Sequence, residues 1–486
     1  MQLPALSLRP ITLLFVFIFA GAWAIALWQY QPLWMGVPFI ALAIYALIPA
    51  LLKPSITLFW LLFICIPLST EWQLLPTLGI DFPDELLMIL LTLSGLFYFL
   101  RYPTRLPEVL GRSPLFTLLL IQLIWIAICC IFSYEPILSI KYLLAKIWYI
   151  VPFVILPVYF IRTPRDWKIW AACWLLPMLV LVLQVLIRHG LFGFTFFDIR
   201  KAMSPFFRNH VNYAALLTLL LLVAAACYHL TQKGTPIRKW ILAGILVGIV
   251  GWMLAYSRGA WVALPCGIGM VVIVRKKWML PVLAIAITAI LILSAWLVTE
   301  RNYLRFIPEH DQTYFHTEFR QHMQATFQGK DVSAAERWYR WVAGVRMLAG
   351  EPLTGFGPNS FYLHYKPYTL RSFQTWVSNN PEHSTVHNYF LLLALEQGLI
   401  GLFIFLALLA GMFISLQRLY SQLQSNFYKT ITLAISGMLT MVIVLNLMSD
   451  LIETDKVGAV FYSCLGAILL LRQQLLQEKT SLADFF

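Results

Sequence analysis

Long apolar runs alternate with short polar turns along nearly the whole chain. A helix needs about 20 mostly apolar residues to cross a hydrocarbon core of about 30 Å. By that measure the pattern predicts about fourteen spans, near 11–28, 33–51, 56–69, 84–100, 115–132, 140–160, 168–187, 212–229, 238–256, 259–274, 278–298, 388–415, 429–448 and 457–472. The run 56–69 is the shortest, covering only about 21 Å at roughly 1.5 Å per residue. A tilted, re-entrant or misbounded element fits there, and twelve spans are compatible with the same pattern.

Two polar segments interrupt this alternation. The smaller is 188–211, RHGLFGFTFFDIRKAMSPFFRNHV, and the larger is 299–387. They divide the chain into an N-terminal membrane region 1–298, a helical loop region 299–387 and a C-terminal membrane region 388–486. Six of the nine His lie in the larger segment, and His189 and His210 lie in the smaller. Within the larger one, Trp338, Trp341, Val342, Val345 and Leu348 recur at helical spacing, and Ser333 precedes Glu336 by three residues. That pattern predicts an amphipathic helix opened by a capping box. Gly350 ends it, and the Pro/Gly-rich stretch 351–361, EPLTGFGPNSF, turns the chain back toward the membrane.

Composition turns the pattern into a class. With 60% hydrophobic and 12% charged residues and a mean hydropathy of +0.77, the chain is an integral membrane protein. Lys and Arg mark cytoplasmic loops. Arg9, Lys53, Arg101, Arg105, Arg112, Arg162, Arg165, Lys168, Lys233, Arg238, Lys239, Arg275, Lys276, Lys277, Arg418, Lys429, Arg472 and Lys479 all fall on one side of the proposed membrane. Both polar segments then face outward and both termini are cytoplasmic. Residues 1–28 read as a first helix rather than a cleaved signal, because the apolar run is long enough to span and ends in aromatic residues. The basic charge is explained by sidedness and membrane lipids, and no nucleic-acid partner is expected. All seven Cys fall within predicted spans, so neither disulfides nor a thiol metal site is expected.

Candidate chemistry concentrates on the outward side. His387 ends the large loop where a long apolar helix begins, and an imidazole there is able to exchange protons with a substrate. His383 lies four residues earlier, but two His without a third placed ligand make a weak metal site, and none is expected. Arg258, in the tight turn YSRGAW, is suited to forked hydrogen bonds with phosphate oxygens. Arg200, Lys201, Arg208 and His210 lead into the helix expected near Asn212, where an anion is also favoured, although gripping lipid headgroups is an alternative. Inside the spans, a charge costs at least about 2.5–3.5 kcal/mol on insertion scales. Lys146 is therefore expected either to snorkel to the outer surface or to bind an anion. Glu396 is expected to pair with an Arg or to accept a hydrogen bond from a neighbouring helix. Gly398 and Gly401 read as sites of close helix packing.

The pieces SPFFRNHVNYAALL and YSRGAW, then Arg337, Trp341, Gly344, Met347 and PLTGFGPNSF, and finally His387-Asn388 with EQGLIG, resemble the O-antigen ligase superfamily in their order. That superfamily includes Wzy-type polysaccharide polymerases and O-linked oligosaccharyltransferases. The resemblance covers roughly 200–415 and implies an all-α, multi-span glycosyltransferase of the C-type membrane class (GT-C). It implies a metal-free and cofactor-free transfer of a glycan from an undecaprenyl diphosphate carrier to a hydroxyl. An inner-membrane location with a periplasmic active site follows, with lipid A-core or another glycan as acceptor. By motif, His387 corresponds to the essential His and Arg258 to the Arg of the SR motif. A second Arg precedes the helix near Asn212, where Ser204 replaces the usual Gly. Arg200 and Arg208 both remain candidates, with Arg200 favoured. Lys146 joins these cations as a possible diphosphate ligand, and His383, Arg337, His210 and Glu396 as supporting residues. Ligation to lipid A-core, polymerisation of the same lipid-linked glycan, and transport without chemistry remain open alternatives.

Overall fold

The computed structural model describes residue 21 and residues 53–75, 78–306, 332–374, 378–380 and 384–483. The expected spans 11–28 and 33–51 therefore lie outside the described residues, apart from residue 21. The described helices are α1 (Ile56–Cys65), α2 (Asp84–Arg101), α3 (Pro114–Ile131), α4 (Pro136–Phe160), α5 (Pro164–Leu191), α6 (His210–Leu230), α7 (Pro236–Met253), α8 (Arg258–Arg275), α9 (Met279–Val298), α10 (Val332–Leu348), α11 (Tyr389–Gln422), α12 (Asn426–Asn446) and α13 (Asp455–Ala483). Ten of them, α3 to α9 and α11 to α13, are long and apolar enough to cross a membrane. The chain is an all-α, multi-pass membrane protein. An antiparallel hairpin, β1 (Thr70–Leu75) with β2 (Leu78–Phe82), lies between α1 and α2. The short run at 56–69 resolves into α1 followed by a tight 3-10 turn, Ile66–Leu68.

Local sequence explains where these helices start. Pro114, Pro136, Pro164 and Pro236 open α3, α4, α5 and α7, where a missing N–H costs nothing and the fixed φ suits a first turn. Thr163 and Asp166 form a reciprocal capping box on α5. Pro152 sits in a widened turn of α4, Val151–Ile155, because its ring removes one rung of the ladder. The core runs through α13, with Val457, Phe461, Leu465, Leu469 and Leu471 fully covered. Helices α8 and α12 cross where Gly267 and Gly437 face each other, each leaving room for the other's carbonyl. Helix α9 has no buried residue in its apolar window and touches the core mainly near its start, through Met279 and Leu283.

Two expectations change. The span 388–415 is not one continuous helix: Gly398, at φ +69° and ψ 178°, breaks α11. Beside the break runs the turn 352–357. Phe356 N–H donates to Leu395 O at 2.9 Å, Gly357 N–H to Glu396 O at 3.1 Å, and Leu399 N–H to Pro352 O at 2.8 Å. Trp125 Nε1 donates to Gln397 O at 2.8 Å. The backbone groups freed by the break thus find partners, as an interrupted membrane helix requires. Gly398 is accordingly not a helix-packing glycine; its positive φ and the adjacent Leu353 carbonyl leave no space for a Cβ. Gly401 does fit close packing, against Trp125.

The second change concerns α10. Ser333 lies inside the helix rather than capping it, and Glu336 is buried, accepting from Ser378 Oγ at 2.5 Å and Arg340 at 3.2 Å. Tertiary pairing has replaced the capping box. The buried face is Tyr339, Val342, Ala343 and Met347, with Trp338, Trp341 and Leu348 beside it, whereas Val345 is exposed. Leu392 and Leu395 of α11 complete this small core, so the segment before His387 packs on the first half of the broken helix.

Candidate active site

His387 stands at the entrance to α11 with φ +53°, a conformation that costs a non-glycine residue about 1–3 kcal/mol and persists only when neighbours impose it. Its neighbours are visible. Helix α10 clasps the segment before it: Arg340 donates to Thr385 O at 3.2 Å and Trp341 Nε1 to Val386 O at 3.0 Å. Asn388 caps α11 by accepting from Leu391 N–H. Tyr389 N–H donates to Ser449 O at 3.0 Å, and Arg337 Nε to Met448 O at 3.2 Å, fastening the same junction to the chain that follows α12. That chain carries Asp450, whose Oδ1 lies 3.9 Å from His387 Nδ1. The pair is within ion-pair reach but longer than a hydrogen bond.

Asp450 is the functional candidate missed in the sequence. It follows an apolar span as one of several polar residues, and only the fold brings it to His387. Among the described residues, no group of three His, Cys, Asp or Glu is placed to hold a metal ion. His383 lies outside the described residues.

The cations come from two turns that touch each other. Arg258 is the half-buried first residue of α8, following buried Ser257. Before it, Tyr256 at φ +52° donates its hydroxyl to Phe194 O at 2.7 Å and packs edge-on to His189 and Phe196. Burial raises the Tyr256 phenol above its ordinary value, keeping that donor protonated. Phe196 also meets the His210 ring, and His189 Nε2 lies 2.8 Å from Thr195 O. The SR turn is thereby pinned to the loop 188–211. Helix α6 begins at His210, two residues before the expected position, capped by Asn209.

Within that loop, Arg200 is exposed on a one-turn helix, Ile199–Met203. Lys201 pairs with Asp198 at 2.9 Å; that hydrogen bond, with another from Thr195, holds the Asp198 carboxyl below its usual range. Arg208 pairs with Glu71 of β1 at 2.5 Å. This pairing leaves Arg200 the more available of the two guanidiniums. Lys456, at the start of α13, donates to Phe206 O at 2.7 Å and also to Pro67 O and Ser69 O, anchoring the loop from below.

The two halves meet at one end of the bundle. Gly259, next to Arg258, faces Leu445 on the last turn of α12, five residues before Asp450; a Cβ added to this glycine would lie 3.7 Å from Leu445 Cδ2. Lys146 does not join them. Its side chain is 4% exposed and ion-paired with Glu453 at 2.7 Å, so it neither snorkels nor offers an unneutralised charge to an anion. Among the described residues Glu396 pairs with no Arg; it accepts from Asn359 N–H at 2.8 Å and Phe361 N–H at 3.2 Å, backbone donors of the returning turn. Its role in the structure is to hold that turn against the broken helix.

No curated protein matches the chain. The model of the O-antigen ligase family matches residues 242–406, which include Arg258, Arg337, His387 and Glu396, and on that match this stretch is assigned to the O-antigen ligase/Wzy-type superfamily.

Proposed function

We propose that the protein is an inverting, metal-independent glycosyltransferase of the bacterial inner membrane. It takes a glycan from undecaprenyl diphosphate at the periplasmic face and joins it to a hydroxyl of lipid A-core. The observation that carries this reading is the His387–Asp450 pair, fixed at the same end of the bundle as the Arg258 turn. An acceptor hydroxyl is a poor nucleophile, and His387 would remove its proton as the oxygen attacks the anomeric carbon. The anomeric C–O bond breaks with its electron pair passing to the diphosphate, and one displacement inverts the centre. Asp450 would stabilise the imidazolium that forms. The departing diphosphate is already a good leaving group, so it mainly needs fixed cations, which Arg258 and Arg200 supply. Arg208 contributes less while Glu71 holds it.

The test is transfer by the purified protein, with undecaprenyl diphosphate-linked glycan as donor and lipid A-core as acceptor. Product is expected from the wild type and its near-complete loss from His387→Ala and Arg258→Ala. Full transfer by both variants would overturn the site. In a deletion strain, long polymer accumulating on the lipid carrier supports ligation, whereas single repeat units assign the chain to polymerisation.

A further inference from the structure

Lys146 and Glu453 belong to a buried polar chain that runs behind His387 rather than into the cation turns. Lys146 Nζ lies 2.7 Å from Glu453 Oε2 and 4.5 Å from the centre of the Tyr142 ring. Tyr142 donates its hydroxyl to Glu453 Oε1 at 2.9 Å, and Gln397 Nε2 donates to that hydroxyl at 3.3 Å. Both carboxylate oxygens of Glu453 are therefore held by α4. At one end the chain reaches Gln397, the residue before the break in α11. At the other, Glu453 closes the 3-10 turn Leu451–Glu453 and donates its own N–H to Asp450 O at 3.0 Å. Asn446 fixes the same turn by accepting from Ile452 N–H at 3.1 Å.

We propose that Lys146 and Glu453 are positioning residues for the transfer reaction. Their ion pair locks the 450–453 turn against α4 and so sets Asp450 beside His387. The inference rests on the reading of His387 as the base. Its physical basis is that a charge in an apolar interior has few acceptable geometries. A carboxylate gripped at both oxygens cannot turn, and its backbone N–H fixes Asp450 one turn earlier. The alternative, that Lys146 binds the donor diphosphate, requires it to abandon Glu453.

The test uses the full-length protein and the same donor and acceptor. Lys146→Met combined with Glu453→Gln removes both charges together and avoids stranding one of them. Its kcat is expected to fall about tenfold or more, since small misplacements of a reacting group cost that much, with donor KM within about twofold of wild type. Lys146→Arg, which keeps the pair, is expected to restore kcat to within about threefold. Wild-type kcat in the double variant overturns the proposal, as does a raised donor KM with unchanged kcat, which would return Lys146 to the diphosphate. If the double variant does not purify, Glu453→Asp keeps both charges while shortening the tether, and wild-type kcat there overturns the proposal equally. His387→Ala and Asp450→Asn are measured in parallel. If His387→Ala leaves transfer unchanged, the reading of the base fails; if it lowers transfer while Asp450→Asn or the pair variants do not, only the positioning role fails.

Discussion

The surroundings of His387 and those of Arg200 are built on opposite plans. At His387, the carbonyls of Thr385, Val386 and Met448 each accept from a side chain of α10, and the residue itself is held at positive φ. Arg200 stands exposed on a single helical turn, with its neighbours Lys201 and Arg208 paired to Asp198 and Glu71. The difference matches the physics of the two tasks proposed for them. Proton transfer depends on a heavy-atom separation of about 2.6–3.2 Å and fails when the base drifts. Attraction between a guanidinium and a diphosphate declines only as the inverse of distance, so a cation tolerates a looser seat.

The sharpest way to break this contrast is at the base. His387→Ala is expected to lower kcat by about 10²–10⁴-fold with little change in donor KM, measured by steady-state transfer. Arg258→Ala comes next, at about 10²–10³-fold, because its cation stabilises charge that develops only as the bond breaks. If the two variants raised KM alone, both regions would be binding devices and the contrast would vanish. Arg340→Met then tests the clasp. It leaves Glu336 buried without its guanidinium, and the purified protein is expected to lose about 3–5 kcal/mol of stability in thermal unfolding. The surroundings of Arg200 predict smaller effects. Arg200→Gln should raise donor KM by several-fold, and added salt should do the same in the wild type, since exposed charges are screened within about 10 Å at 0.1 M. Arg208→Gln should do least. Its pair with Glu71 is largely exposed and contributes about 0–1 kcal/mol.

Periodicity carried most of the membrane architecture. All ten described helices long and apolar enough to cross coincide with runs visible in the sequence, and the amphipathic character of α10 was legible from Trp338, Trp341 and Val342. What periodicity could not reveal was where the pattern is interrupted or overruled by distant chain. Glu396 and Gln397 mark a polar spot before Gly398, but an apolar run resumes at Leu399 and a glycine there reads equally as helix packing; the hydrogen bonds that define the break come from residues 352–357. Ser333 and Glu336 have the spacing of a cap, yet Ser378, 42 residues away, claims the carboxylate. Lys146 looked like a snorkelling lysine because its partner is 307 residues distant. His387 and Arg258 were singled out by residue type and motif, whereas Asp450 became a candidate only through proximity.

The break in α11 also bears on how the protein is made. Residues 352–357 leave the ribosome before the helix whose open carbonyls they occupy, so the Phe356 and Gly357 N–H groups lack their acceptors until α11 has been inserted. The segment ahead of His387 is therefore expected to remain unfinished during synthesis, and to close only after the following span is in place. A version of the chain truncated before Leu395 would lack both the acceptors for this turn and the Leu395 side chain of the small core over α10. Assembly of the site is thus tied to insertion of the helix behind it, which delays a competent catalyst until the protein is seated in its bilayer.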